Sequence, residues 1–168
     1  MRMIAMVIAG LAVGGAASGC SSVAMGVGGS NMGVGVGVAL PASSRAEVQA
    51  LAQRINRHRV AIGCRALIWD DRLAAVARRH SEDMARRHFF DHTNPDGRDP
   101  FDRLEAAGIH YRAAAENIAY GRTRGRDTYD DWIESPGHRR NMENCEYTHF
   151  GIGRYERQWT LELVRYRD

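Results

Sequence analysis

Between Arg2 and Arg45 no residue carries a charge, and this divides the chain into two parts that cannot fold alike. All 23 basic residues are arginine, so 23 − 1 = 22 arginines and all 20 acids lie from Arg45 onward. An uncharged stretch with a glycine density like that of residues 21–44 opposes both helix and packed strand. The mixed-charge remainder is long enough for one domain with a core.

The first segment reads as an address. Met1-Arg2 supplies a short positive start, Met3–Val13 is an apolar run, and small residues lead to Cys20. The run is shorter than the roughly 20 residues a membrane-spanning helix needs, and it fits a secretory leader. Residues 1–19 are thus expected to be a signal peptide. Ala17-Ser18-Gly19-Cys20 resembles a bacterial lipobox, in which the cysteine is acylated and becomes the mature N-terminus. Ala17 departs from that pattern, where leucine is usual, and plain cleavage near Ala16-Ala17-Ser18 is the alternative. Residues 20–44 would then be a lipidated Cys20 and a Gly/Val-rich tether, including Gly33-Val34-Gly35-Val36-Gly37-Val38. Its r.m.s. span would be roughly 25–30 Å. The expected location is outside the cytoplasm, lipid-anchored to an envelope membrane, with secretion as the alternative.

Absence of lysine excludes Schiff-base, pyridoxal-phosphate and P-loop chemistry. The charges alternate in sign, as in Arg78, Arg79, Glu82, Asp83 and Arg86, which describes a solvated helix face better than a nucleic-acid patch. No nucleic-acid partner is expected.

Residues 45–168 read as helices followed by strands. Ser44-Arg45-Ala46-Glu47 has the form of a capping box, and Val48, Leu51, Ala52 and Ile55 recur at helical spacing up to a stop at Gly63. Asp70 or Asp71 caps a second helix with Leu73, Val76, Ala77, His80 and Met84 on one stripe. That stripe makes His80 a core histidine bonded to a neighbouring loop. Asp99-Pro100 opens a short helix closed at Gly108, another spans about 128–134, and Ser135-Pro136 starts one more turn. The period then becomes two: Phe150, Ile152 and Arg154 alternate with Gly151 and Gly153, and residues 158–166 form a partner strand across a Glu156-Arg157 turn. This order predicts an α+β fold with helices on an antiparallel sheet. Trp69, Trp132 and Trp159 are expected as core anchors.

Cys64 and Cys145 form the pair expected to oxidise in an exported chain. Two buried free thiols are the alternative. The bond would tie the turn after the first helix to the start of the C-terminal hairpin.

His92, Glu116 and His138 have no short metal-binding spacing and mean nothing by motif alone. A longer pattern does. Leu67-Ile68-Trp69, His80-Ser81, Asp83-Met84, Asp91-His92-Thr93, Glu116-Asn117-Ile118-Ala119, Trp132, Ser135-Pro136-Gly137-His138-Arg139 and Gly151-Ile152-Gly153 resemble, in order, the CAP superfamily. Its members include cysteine-rich secretory proteins and SCP-like bacterial extracellular proteins. The resemblance covers residues 45–168 and implies an α-β-α sandwich with a cleft floored by two histidines and two acids. By the same resemblance, His92, Glu116 and His138 are the first three. Glu134 is the fourth by position, although it lies two residues after Trp132 where the family has three, a place held here by Ser135.

Such a set has three uses. It can hold a divalent metal, Zn or Mg, with an open position. It can act as a metal-free general acid and base, or it can shape the cleft and do nothing else. Ser135 is no obvious nucleophile, since a helix cap occupies its hydroxyl. The family resemblance implies a non-enzymatic, membrane-tethered ligand- or ion-binding module, with a lipid, sterol-like or peptide ligand in the cleft and a monomeric state. A divalent-metal-dependent hydrolase acting on peptide, cell wall or lipid is the alternative.

Overall fold

A computed structural model describes residues 10–11 and 42–167. The expected signal peptide, except Gly10–Leu11, and the tether as far as Pro41, including Cys20, lie outside the described residues. The elements run β1 (Gly10–Leu11), α1 (Ala42–Ala61), β2 (Ile68–Trp69), α2 (Asp71–Arg86), α3 (Pro100–Ala106), β3 (Tyr111–Tyr120), α4 (Gly125–Glu134), α5 (Pro136–Glu143), β4 (His149–Tyr155) and β5 (Gln158–Tyr166). The sheet has the order β1-β3-β5-β4-β2. Its pairs are antiparallel except β2 with β4, which is parallel.

Local chemistry sets the boundaries. Asp70 accepts from the N–H groups of Arg72 and Leu73 and starts α2. Asp99 and Asp102 form a reciprocal capping box around Pro100 and start α3. Gly63, after α1, has φ +88°, a value that suits glycine. The β4–β5 turn places Glu156 at φ 50°, an uncommon conformation for that residue.

Side chains on β3 and β5 alternate between two cores. Leu51 and Ile55 of α1, Trp132 of α4 and Met142 of α5 cover Leu161 and Leu163 on one face. Leu73 and Val76 of α2, with Leu104 of α3, cover Ala114 and Val164 on the other. The result is the expected α-β-α sandwich. The second layer sits unusually close to β4. A Cβ at Gly151 would run into the backbone of Ala74, and one at Gly153 into that of Arg78. The alternating glycines of β4 are therefore a steric requirement of α2.

The disulfide joins Cys64 to Cys145 with Cα atoms 5.1 Å apart, as expected. Arg59, fully buried, reinforces the same junction. Its guanidinium donates to the carbonyls of Met142 (2.7 Å), Asn144 (2.9 Å), Tyr147 (3.1 Å) and Arg65 (3.2 Å). One aromatic departs from expectation. Trp132 and Trp159 are fully buried, whereas Trp69 is 40% exposed because β2 is an edge strand with one neighbour.

Candidate functional site

Strand β3 delivers Glu116 to the α2–α3 face, where it is completely buried. Its two oxygens have different partners. His92, in the loop before α3, donates through Nδ1 to Oε1 at 2.6 Å. Arg103 of α3 donates through Nη2 to Oε2 at 2.7 Å. His80 of α2 reaches to 3.9 Å of Oε1, while its Nε2 donates to the Asp91 carbonyl at 3.0 Å, the expected loop bond. Arg103 also fixes the loop by donating to the carbonyls of His92 (2.7 Å) and Arg98 (3.0 Å).

Burial alone would raise the Glu116 carboxyl. The hydrogen bond from His92 and the charge of Arg103 override it and hold the pKa down to about 2. His80 shifts downward, chiefly because burial disfavours its charged form. It is therefore neutral, and because its Nε2 carries the proton, Nδ1 is a buried acceptor without a hydrogen-bond partner among the described residues.

Directly across the ladder from Glu116 stands Glu162 on β5, also fully buried. Among the described residues neither of its oxygens has a partner other than the Glu116 carboxyl it faces. Burial, then the charge of Glu116, pushes its pKa well above the ordinary range. The two carboxyls thus carry one negative charge between them, on Glu116, with Glu162 protonated. The sign follows: a raised folded-state pKa makes stability fall as pH rises from about 4.3, the ordinary glutamate value, toward the folded pKa. Glu162→Gln keeps the shape and removes the titration. We expect it to match the parent protein near pH 4 and to exceed it at pH 7, by at most about 4 kcal/mol over the span from pH 4.3 to 7, measured by urea unfolding at both pH values.

Glu116 and Asn117 are consecutive on β3, so their side chains point to opposite faces. Asn117 donates to the His138 carbonyl (3.1 Å) and accepts from Asn141 (2.8 Å), both on α5. His138 therefore belongs to the α4–α5 side. There its Nδ1 meets the Ser135 hydroxyl at 2.9 Å and its ring stacks on Trp132 at 6.5 Å. Ser135 does not cap α5 through its side chain, as the sequence had suggested. Glu134 is exposed at the end of α4. Of the four expected residues, only His92 and Glu116 come together. Among the described residues no three His, Cys, Asp or Glu side chains are placed to share a metal ion. The charged partners of Glu116 already occupy both its oxygens, so the donor set does not fit a metal centre. Asn117 thus ties strand β3 to α5.

Above this cluster a cleft of about 550 Å³ opens between α2 and α3, with His80 and Arg103 among its walls. Its arginines are unequally matched. Arg86 is bridged to Glu82 at 2.7 Å, whereas Arg79 and Arg98 are exposed and form no ion pair among the described residues. The charge of Arg98 does help, after the Arg87 hydrogen bond, to hold the Asp96 carboxyl below its usual range. Sequence reasoning missed Arg103 and Glu162. A usable signal existed for Glu162, a lone acid between Leu161 and Leu163 in a strand buried on both faces. None existed for Arg103, one arginine among many.

Comparison with known proteins gives a consistent result. The family model for the cysteine-rich secretory protein family, CAP, matches residues 52–161. The uncharacterized protein YkwD of Bacillus subtilis is 35% identical over 126 residues, covering 74% of this chain and 49% of its own length. An extracellular protein containing an SCP domain from Bacillus anthracis superposes with a TM-score of 0.71 at 31% identity, covering 73% of this chain and 41% of that one. An outer surface protein of Borrelia burgdorferi shares the fold, with a TM-score of 0.69 at 19% identity over 74% of this chain and 96% of that one. The chain thus spans about half or less of the two Bacillus relatives.

Proposed function

Because the chain belongs to the cysteine-rich secretory protein family, we propose that it is an exported, non-enzymatic binding module. A lipid on Cys20 would hold it to the cell envelope, and its α2–α3 cleft would take a small anionic ligand. The leader-like residues 1–19 and the extracellular or outer-surface description of the structural neighbours support export. The lipobox-like Ala17–Cys20 and the uncharged stretch after it support the anchor.

One observation carries the ligand class: four arginines line the cleft against two acids, Glu82 and Asp83, and of the four Arg79 and Arg98 form no ion pair among the described residues, while Arg103 is already neutralised by Glu116. An organic phosphate or carboxylate would complete that charge arrangement. The polar walls give no support to a sterol. The hydrolase reading needs His138 beside His92 and Glu116, and the donors lie on opposite sheet faces.

The test is calorimetric titration, at low ionic strength, with inorganic phosphate and with glycerol 3-phosphate. Saturable binding that weakens at least tenfold in the Arg79→Ala/Arg98→Ala double variant, at unchanged Tm, is expected. No saturable binding of either probe, or binding untouched by the double variant, would overturn the proposal.

A further inference from the structure

Residues 48–69 contain no acid, and Arg54, Arg57, Arg59 and Arg65 fall within them. The same stretch ends in apolar side chains that the fold leaves outside. Val60 (59%), Ile62 (46%), Ile68 (59%) and Trp69 (40%) are exposed, and among the described residues Tyr120 is the only other large apolar side chain that is. This exposure is not fraying, because the segment from the end of α1 to β2 is clamped at three points. Asn56 bonds both backbone groups of Leu67, donating to its carbonyl at 3.0 Å and accepting from its N–H at 2.8 Å. Arg59 donates to the Arg65 carbonyl (3.2 Å), and Cys64 is bonded to Cys145. A segment held this firmly with its apolar side chains in solvent is pre-organised for a contact.

The charges around it define the partner. Arg54 is matched by Asp130 at 3.8 Å and His58 by Glu143 at 2.9 Å, while Arg59 is buried on backbone carbonyls. Arg57 and Arg65 are exposed and form no ion pair among the described residues. Two acids stand at the margin: Asp71 accepts from the Trp69 indole at 2.8 Å, and the disulfide brings up exposed Glu146 beside Cys145. Arg57 borders the same shallow groove as Val60, Ala66 and Trp69. Ile62 follows Val60 in the chain, and Ile68 stands on the other side of the β2 edge from Trp69. We propose that this surface docks on an anionic lipid bilayer. The aliphatic side chains and Trp69 would enter the interface, with Arg57 and Arg65 at the level of the lipid phosphates. A second copy fits less well. Four half-exposed side chains fall short of the roughly 800 Å² that each partner of a stable dimer buries, and like charges would meet. The proposal rests on the reading of the chain as an envelope protein, but not on acylation of Cys20, since the contact is made by the folded domain itself.

Vesicle binding tests it on the chain from residue 20 with Cys20→Ser, so that no acyl chain contributes. Trp132 and Trp159 are fully buried, so a change in tryptophan emission reports Trp69. On vesicles of equal parts phosphatidylglycerol and phosphatidylcholine at low ionic strength, we expect a blue shift of that emission and quenching by brominated acyl chains. Affinity should fall at least about tenfold on phosphatidylcholine alone. It should fall at least about tenfold, at unchanged Tm, in each of the Ile62→Ser/Ile68→Ser and Arg57→Gln/Arg65→Gln variants. Absence of binding, or binding that leaves Trp69 unquenched or the variants unimpaired, would overturn the proposal. Self-association without vesicles that Ile62→Ser/Ile68→Ser abolishes would overturn it too, since the occupant would then be a second copy. Neither result bears on export, which fractionation of cells making the unaltered chain reads separately.

Discussion

Replacing Glu116 by glutamine is expected to destabilise the protein by about 3–5 kcal/mol at pH 7, the cost of removing one partner of a buried ion pair. The amide fills the same space, so loss of packing contributes little. What changes is charge: Arg103, with its side chain 11% exposed, loses the carboxylate 2.7 Å away, and the one amide oxygen can accept from only one of Arg103 and His92, leaving the other facing an NH2 donor. The parent should also show an acid-side dependence that the variant lacks. A folded-state pKa of about 2 lies below the unfolded value, so the stabilisation is complete above about pH 4.3 and is lost as pH falls toward 2. Urea unfolding between pH 2 and 7 measures both effects. Equal stability of the two proteins at pH 7 would mean that the charge network does not hold this face together. The opposite sign expected for Glu162→Gln makes the pair informative, because a merely steric role for either carboxyl predicts losses in both.

Removing the disulfide has an effect of similar size. In the chain-entropy model, a link between Cys64 and Cys145, 81 residues apart, contributes about 4–5 kcal/mol. The Cys64→Ala/Cys145→Ala protein should melt well below the oxidised parent and be insensitive to reductant. Its native contacts persist in one respect: Arg59 still ties α1 to the Met142–Tyr147 carbonyls. The variant is therefore expected to unfold cooperatively, from a lower Tm. A Tm within about 2 °C of the parent would show that Arg59 and the core alone define the junction.

The sequence made the helices legible and left half the sheet hidden. Asp70 and Asp99 announce helix starts with side chains that bond the first free N–H groups. Gly151 and Gly153 announce close contact because a Cβ is excluded there. Strand β3 gave no such sign. Ala113, Ala114 and Ala115 have weak strand preference, and burial on both faces removes the polar alternation that marks a half-exposed strand. That omission had a direct consequence for the site. Without β3, Glu116 and His138 are two family-motif positions that the resemblance places in one cleft. With it, Glu116 and Asn117 face opposite layers, and His138 follows Asn117. The replacement members of the cluster, Arg103 and Glu162, come from elements distant in sequence, and only the register Glu116↔Glu162 brings the two acids together. Family resemblance located the fold; the chain's own packing decides which side chains gather around Glu116.

The most direct test of the account is the response of the imidazole ¹⁵N resonances to a glycerol 3-phosphate titration of the oxidised protein. Ligand in the cleft between α2 and α3 should shift His80, which lines it, and His92, which shares Glu116 with Arg103, and should leave His138 unchanged across the sheet. A shift of His138 in step with His92, or no response from His80 at saturating ligand, would contradict the placement of the site.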